Sequence, residues 1–293
     1  MGYLFILLSV FANAVKGYCT KQVSNAIENV RDAIHLNLIR NALCCVIAAL
    51  FLLLEGDGKL LVFTPVEGLI CFVSGGAMAA LVVSWALAIK TDAYMLVTAC
   101  ASGSFIIPCI FGFFFLNEQL SLFKFVSFAA IIAALYFLLR YNLSIKGKLG
   151  KRQIFLLALV LLSQGLNQTM QKLYVHEITC KGAGTYTLYS FFFAALLLLL
   201  AAIPLKSPGG IRQHPLIRGN MKYVVLMSLG LFGASYFQTL AAASVEAFIL
   251  YPLTNALSLI AGSLMASLFF RERISKDSVL GVIFVLVALI FSQ

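Results

Sequence analysis

Long apolar runs recur along the whole chain, with only short polar connections between them. A run of about 20 predominantly apolar residues is long enough to cross the ~30 Å hydrocarbon core of a bilayer as an α-helix. Strands of a membrane β-barrel would be about ten residues long and alternate in polarity, and these runs do not alternate. The pattern predicts an all-α integral membrane protein with ten spans: Gly2–Thr20, Arg31–Leu54, Pro65–Ile89, Ala93–Leu116, Leu122–Tyr141, Ile154–Leu173, Ala183–Leu205, Tyr223–Ala243, Ala247–Phe270 and Val279–Ser292.

Composition and charge agree with this class. Of the 293 residues, 62% are hydrophobic and 11% are charged, and the mean hydropathy is +1.00. A soluble chain of this length would need far more charged surface. The net charge of +10 is spread over short loops, so no nucleic-acid partner is predicted. The seven cysteines lie mostly inside spans without metal-ligand spacing, which predicts neither a disulfide nor a metal site.

The two halves of the chain match each other. A shift of 154 positions pairs polar residues without a gap, among them Asn13/Asn167, Ser74/Ser228, Ser104/Ser258 and Glu118/Glu272. Each half holds five predicted spans, and because five is odd the second half must enter the membrane inverted. Inverted repeats are a recurring plan of secondary transporters, in which two similar halves rock around a site near the midplane. The predicted repeats cover residues 1–146 and 147–293.

Several segments resemble a known family. The segments 86–93 and 115–121, with Pro108 between them, are similar to the end of an EamA repeat of the drug/metabolite transporter (DMT) superfamily. Segments 240–247 and 269–275, followed by Gly281, resemble the second copy. This resemblance implies a ten-helix transporter whose central cavity is lined mainly by spans 1, 3, 4, 6, 8 and 9. The chain departs from the family at Asn13-Ala14, where a Trp-Gly pair is frequent, at Lys16, and at Gly262, which stands opposite Pro108.

Polar residues inside the spans form stripes at helical spacing. In span six, Gln164, Asn167, Gln168 and Gln171 recur on one helix face. Polar side chains at membrane depth usually face the bundle interior or a water-filled cavity, although single Ser and Thr residues also serve as hydrogen-bonding contacts between helices. The candidate substrate-binding residues are Asn13, Lys16, Arg40, Trp85, Ser102, Gln164, Asn167, Gln168, Tyr236, Gln238, Thr239, Tyr251, Thr254 and Asn255, and the candidate hinges are Pro108 and Gly262.

The charged residues inside the spans narrow the substrate class. Lys16 and Arg40 are the only cations well inside the predicted spans, and no carboxylate lies at mid-membrane. This favours anionic, zwitterionic or neutral polar substrates, although aromatic rings can hold a cation without a carboxylate. Two alternatives stay open: the Lys16 stem could extend to the nearer interface, and Arg40 could bond backbone carbonyls at a helix break.

The sequence gives two conflicting predictions of orientation. The family resemblance implies that both termini are cytoplasmic. However, only Lys59, Lys124, Lys172 and Lys181 lie on the side of the termini, and the other loop-proximal basic residues lie on the opposite side. The positive-inside rule places the side with more basic residues in the cytoplasm and therefore the termini outside.

These patterns together predict a secondary transporter of small polar metabolites, such as amino acids or other zwitterionic or anionic solutes, working by alternating access in a cell (inner or plasma) membrane. The alternatives are an exporter of lipophilic cations and a lipid flippase. The sequence lacks paired acids at depth, HExxH, GxSxG and GxxxxGK[ST], so neither an enzyme nor an ATP-driven pump is predicted. A small-molecule substrate and membrane lipid are the expected partners, with no cofactor, and the protein is expected to be a monomer or a homodimer.

Overall fold

The computed structural model describes residues 1–24, 27, 29–55, 64–91, 94–116, 122–146, 150–178, 182–204, 215–270 and 276–291. Every regular element in these ranges is helical, and no strand occurs among them. The predicted repeat pair Glu118/Glu272 lies outside the described residues.

Eleven α-helices form the described part of the chain. They are α1 (Gly2–Ser24), α2 (Val30–Glu55), α3 (Pro65–Thr91), α4 (Tyr94–Ser102), α5 (Ile106–Phe115), α6 (Leu122–Lys146), α7 (Lys151–Glu177), α8 (Ala183–Ala202), α9 (Pro215–Ala242), α10 (Ala247–Phe270) and α11 (Lys276–Phe291). A 3₁₀ turn, Gly103–Phe105, joins α4 to α5.

The helices have the length and composition of membrane spans. In the described ranges, seven stretches are long and apolar enough to cross a membrane, and two shorter apolar stretches lie in α6 and α10. The prediction of an all-α membrane protein is therefore confirmed at this level. Helix α9 begins at Pro215, ahead of the predicted start at Tyr223, because proline is well suited to the first position of a helix.

The fourth predicted span is divided in two. Pro108 lies in the first turn of α5, and it has no N–H to donate to the carbonyl four residues earlier. At the preceding turn, the backbone N–H of Ile106 donates to the carbonyl of Gly103, three residues back. The backbone hydrogen bonds therefore change at this turn from the four-residue spacing of the α-helix to three-residue spacing.

The helices pack in pairs around a common centre. Helix α1 packs along α9, α3 along α7, α2 along α8 and α6 along α11, while α4 contacts α10. Small residues allow the closest approaches. A Cβ added at Gly230 would lie 2.9 Å from the carbonyl oxygen of Ala12 and 3.0 Å from the backbone nitrogen of Lys16. Glycine at this position therefore lets α9 lie against the backbone of α1.

Two adjacent glycines in α3 provide a matched test of packing. A Cβ at Gly75 would lie 2.6 Å from the Cβ of Phe193 and 2.8 Å from the carbonyl oxygen of Ser190, both in α8, whereas one at Gly76 would meet only a leucine methyl at 3.5 Å. We expect Gly75→Ala to destabilise the protein by about 1–3 kcal/mol, the usual cost of overpacking, and Gly76→Ala to have little effect. The midpoint of thermal denaturation in detergent measures both, and equal midpoints would contradict this assignment of the α3–α8 contact.

A candidate substrate cavity at the centre of the bundle

A small polar cavity lies where α1, α2, α3, α4, α7, α9 and α10 meet. Its volume is about 70 Å³, and space of that size holds only a few water molecules. The lining combines polar side chains from α1, α2, α4, α7, α9 and α10 with apolar ones, among them three residues of α3. It consists of Asn13, Ala14, Lys16, Thr20, Arg40, Leu81, Val82, Trp85, Thr98, Ala101, Ser102, Gln164, Leu231, Gln238, Asn255, Ser258 and Gly262.

Lys16 provides one positive charge to this cavity. Its Nζ atom donates a hydrogen bond to Asn13 Oδ1 at 2.6 Å, which is one turn earlier on α1. The same atom lies 5.7 Å from the centroid of the Trp85 ring, a distance at which the face of an indole attracts a cation. The ammonium group is therefore held inside the bundle by an amide oxygen and a ring, and neither of these carries a negative charge.

Arg40 provides a second charge from α2. Its residue is only 3% exposed, and its Nε atom has no hydrogen-bond partner among the described residues. The same holds for Trp85 Nε1 and Gln238 Nε2, which also belong to the cavity lining. All three unpartnered atoms are donors. Buried donors without an acceptor are costly, and a group that accepts hydrogen bonds would remove this cost if it reached them.

The described lining contains no carboxylate. The ion pairs found in the described ranges lie elsewhere, between Arg140 and Asp277 at 3.8 Å and between His176 and Glu177 at 3.1 Å. The buried carboxylate of Glu67, in the first turn of α3, accepts a hydrogen bond from Tyr174 OH at 3.1 Å and does not line the cavity. The two cavity cations are thus not neutralised by an acidic lining residue.

A hydrogen-bond network closes one wall of the cavity. Gln168 Nε2 donates to Asn255 Oδ1 at 2.9 Å, and Ser104 Oγ donates to Gln168 Oε1 at 3.2 Å. Asn255 Nδ2 donates to the carbonyl of Ser102 at 2.9 Å, and Ser102 Oγ donates back to the carbonyl of Asn255, also at 2.9 Å. The carbonyl at the start of the 3₁₀ turn therefore also accepts a hydrogen bond from a side chain of α10.

Two predicted binding residues on α7 and α9 bond to neighbouring helices outside the cavity lining. Asn167 Oδ1 accepts a hydrogen bond from Ser74 Oγ at 2.9 Å. Thr239 Oγ1 accepts one from Gln171 Nε2 at 2.7 Å. The α7 stripe therefore divides, because Gln164 reaches the cavity while the other members of the stripe join α7 to α3, α9 and α10.

Three further predicted residues are buried away from the cavity. Tyr251 OH donates to the carbonyl of Gln168 at 2.8 Å. Thr254 Oγ1 donates to the carbonyl of Leu250 in its own helix at 2.7 Å, and the Tyr236 ring stacks on a neighbouring phenylalanine ring. In this conformation the hydroxyls of Tyr251 and Thr254 serve contacts between or within helices, and the Tyr236 ring serves packing.

Of the predicted residues, the structure brings to the cavity Asn13, Lys16, Arg40, Trp85, Ser102, Gln164, Gln238, Asn255 and the candidate hinge Gly262. Pro108 lies in α5, just after the 3₁₀ turn, whereas α10 continues through Gly262 without a break. Sequence reasoning did not select Thr98 or the apolar lining. Thr20 and Ser258 continue the polar stripes of Asn13 and Asn255, and that spacing was the signal that could have found them.

Solved structures contain the same fold. A crystal structure of a protein superposes with a TM-score of 0.72 and covers 100% of this chain and 96% of that chain, at 12% sequence identity. At this identity the likeness extends to the fold alone. No family model and no curated protein sequence matches the chain. The resemblance to the drug/metabolite transporter superfamily therefore stays a prediction from the quoted motifs.

Proposed function

We propose that this protein is a secondary transporter of small metabolites that carry a carboxylate, either anionic or zwitterionic, and that the central cavity is its substrate site. The observation that carries the proposal is the chemistry of the lining: it includes two basic side chains and three residues with a buried donor that has no partner, and its described part contains no acid. A carboxylate supplies about four acceptor positions and a negative charge, so it is complementary to this set.

Burial makes the electrostatic argument stronger. Charges removed from water carry a large desolvation cost, and close contact with an opposite charge can offset it. Because Lys16 and Arg40 lie at membrane depth, a bound anion offsets this cost for both cations. A lipophilic cation would instead enter a region of positive potential, which argues against the exporter of lipophilic cations.

The packing supports an arrangement of two inverted five-helix halves, with α4 and α5 counted as one span. Under the shift of 154 positions, α1 corresponds to α7 and α3 to α9, so the α1–α9 and α3–α7 contacts are equivalent. Lysines near the ends of α1 and α7 also play matching roles. Lys21 Nζ donates to the carbonyl of Ile89 at the end of α3, and Lys172 Nζ donates to that of Ala242 at the end of α9, both at 3.2 Å.

The size of the cavity supports alternating access. Sites for small organic molecules enclose about 300–1,000 Å³, whereas this cavity encloses about 70 Å³. A metabolite can bind only if the helices around the cavity separate. Two similar halves that rock about a central site provide such a movement, and the family resemblance leads to the same expectation.

A lipid flippase is the second candidate. It needs a polar path for the headgroup that opens sideways to lipid. The polar lining described above lies between seven helices at the centre of the bundle, whereas a more open groove between α2, α3, α7 and α8 is mainly apolar. These two observations favour a carrier of small solutes over a flippase.

The single tryptophan provides a direct test of binding. Trp85 is the only tryptophan in the chain, and it lines the cavity beside Lys16. We expect a saturable change in tryptophan fluorescence when the purified protein is titrated with carboxylates such as acetate, succinate or amino acids. The Trp85→Phe, Phe72→Trp variant, whose new tryptophan lies on the lipid-facing surface, should give no such change.

The active compound is then tested for uptake into proteoliposomes. Saturable uptake that is stimulated by the same compound on the opposite side would support a carrier. A fluorescence change with tetraphenylphosphonium alone, and none with any carboxylate, would contradict the proposal and favour the lipophilic-cation exporter.

A further inference from the structure

An apolar groove lies between α2, α3, α7 and α8, separate from the central cavity. It encloses about 560 Å³. Its walls are formed by aliphatic and small residues, with Phe155 near one end, and Arg152 is the single charged residue among its described lining. The groove and the cavity share no lining residue that the structure describes.

The groove starts at one face of the bundle and ends near its middle. Its lining includes Ile34 near the start of α2, Leu87 near the end of α3 and Arg152 in the first turn of α7. Gly76, at the far end, is eleven residues from Leu87, a distance of ~16 Å along a helix. One leaflet of a bilayer has a hydrocarbon thickness of ~15 Å, half of the ~30 Å core. The groove therefore spans one leaflet.

Charge is concentrated at the outer end of the groove. The exposed Lys151 stands beside Arg152, and both lie at the N-terminus of α7, where the helix dipole and free backbone N–H groups favour an anion. The sequence places this end on the more basic side of the protein, next to a leaflet that carries anionic lipids if that side is cytoplasmic.

We infer that this groove binds one anionic phospholipid, with an acyl chain along α3 as far as Gly76 and the phosphate group on Arg152. Glycine at position 76 is part of the site, because a Cβ there would meet only a leucine methyl at 3.5 Å and a longer side chain would extend into the groove. Besides Arg152, the polar residue of the described lining is Ser84, whose hydroxyl donates to the carbonyl of Ala80 in its own helix at 2.7 Å. The groove therefore offers no polar path for a headgroup toward the far leaflet, and this lipid is a resident ligand and not a transported substrate.

Brominated lipids test the inference, since bromine quenches tryptophan at close range. In a Trp85→Phe background, Phe155→Trp places the reporter in the groove at an exposed position. Leu200→Trp places it near the end of α8, at a comparable depth but outside the groove. Each variant is reconstituted in nanodiscs of phosphatidylcholine containing either brominated phosphatidylglycerol or brominated phosphatidylcholine.

At Phe155→Trp we expect quenching to show an about fivefold preference for the anionic lipid, because one basic residue near the surface strengthens binding of an anionic lipid by about that factor. At Leu200→Trp we expect the two lipids to quench equally. Arg152→Gln should abolish the preference, and Gly76→Leu should reduce quenching by both lipids.

Equal quenching at the two reporters, or a preference that survives Arg152→Gln, would overturn the inference. Loss of the preference on addition of inorganic phosphate would also overturn it, because the site would then bind a free anion. Arg152 is exposed, so its variant keeps the test valid if Gly76→Leu fails to fold.

Discussion

Lys16→Met is expected to weaken carboxylate binding by about 10- to 150-fold, which corresponds to the ~1.5–3 kcal/mol of a hydrogen bond to a charged group. Methionine keeps most of the stem of lysine and its contacts but removes the charge. Lys16 Nζ already lies in the cavity, held by Asn13 and the Trp85 ring. The measurement is the dissociation constant from the Trp85 fluorescence titration, followed by transport in proteoliposomes.

Lys21→Met is the matched control, since Lys21 lies on the same helix and its Nζ atom bonds the carbonyl of Ile89 outside the cavity. This variant should bind carboxylates with unchanged affinity, even if its denaturation midpoint falls. If both variants bind alike, then Lys16 does not contact the substrate and its charge serves only helix packing. A loss in both, accompanied by a loss of folded protein, would identify a general effect on stability.

Asn255→Leu is expected to produce the largest loss of stability of any single cavity substitution. The Asn255 side chain bonds the carbonyl of Ser102, the hydroxyl of Ser104 at 3.4 Å and the amide of Gln168. Side-chain hydrogen bonds between membrane helices contribute about 0.6–2 kcal/mol each, so the loss of three amounts to about 2–6 kcal/mol. Leucine is similar in size and offers no replacement for any of them.

Thr254→Val is the control for this change. Thr254 is the preceding residue on α10 and is equally buried, but its hydroxyl bonds the carbonyl of Leu250 within its own helix. Valine preserves the shape, and the expected cost is below about 1 kcal/mol, as that carbonyl already belongs to the helix hydrogen-bond ladder. Thermal denaturation in detergent compares the two, and equal midpoints would contradict the proposed role of Asn255 between α4, α7 and α10.

The sequence was sufficient to predict helices because hydrophobicity over a span is a local property. Each run of apolar residues has to satisfy its backbone within one helix in lipid, and the ranges of α3 and α10 match their predicted spans closely. The break at Gly103–Phe105 was also signalled, by Pro108. Lys16 and Gln238, which belong to two of the polar stripes, both line the cavity, and their role in binding stays a prediction.

Which polar residues face the cavity and which join helices could not be predicted from spacing. Gln164 and Gln168 lie on the same face of α7, yet the first lines the cavity and the second bonds Asn255 and Ser104 instead. The difference depends on which helix lies opposite each residue, and that is a tertiary property. The apolar groove could not be predicted from the sequence either, because its residues have the same composition as ordinary lipid-facing or core positions.

The bond between Asn255 and the Ser102 carbonyl has a consequence for biosynthesis. The two residues are separated by 153 positions, so the ribosome completes α4 and α5 long before α10 exists. During that interval the carbonyl of Ser102 lies in a nascent bundle without its final donor. The contact between α4 and α10 therefore forms only after most of the second half has been synthesised, and the final packing of α4 waits for α10.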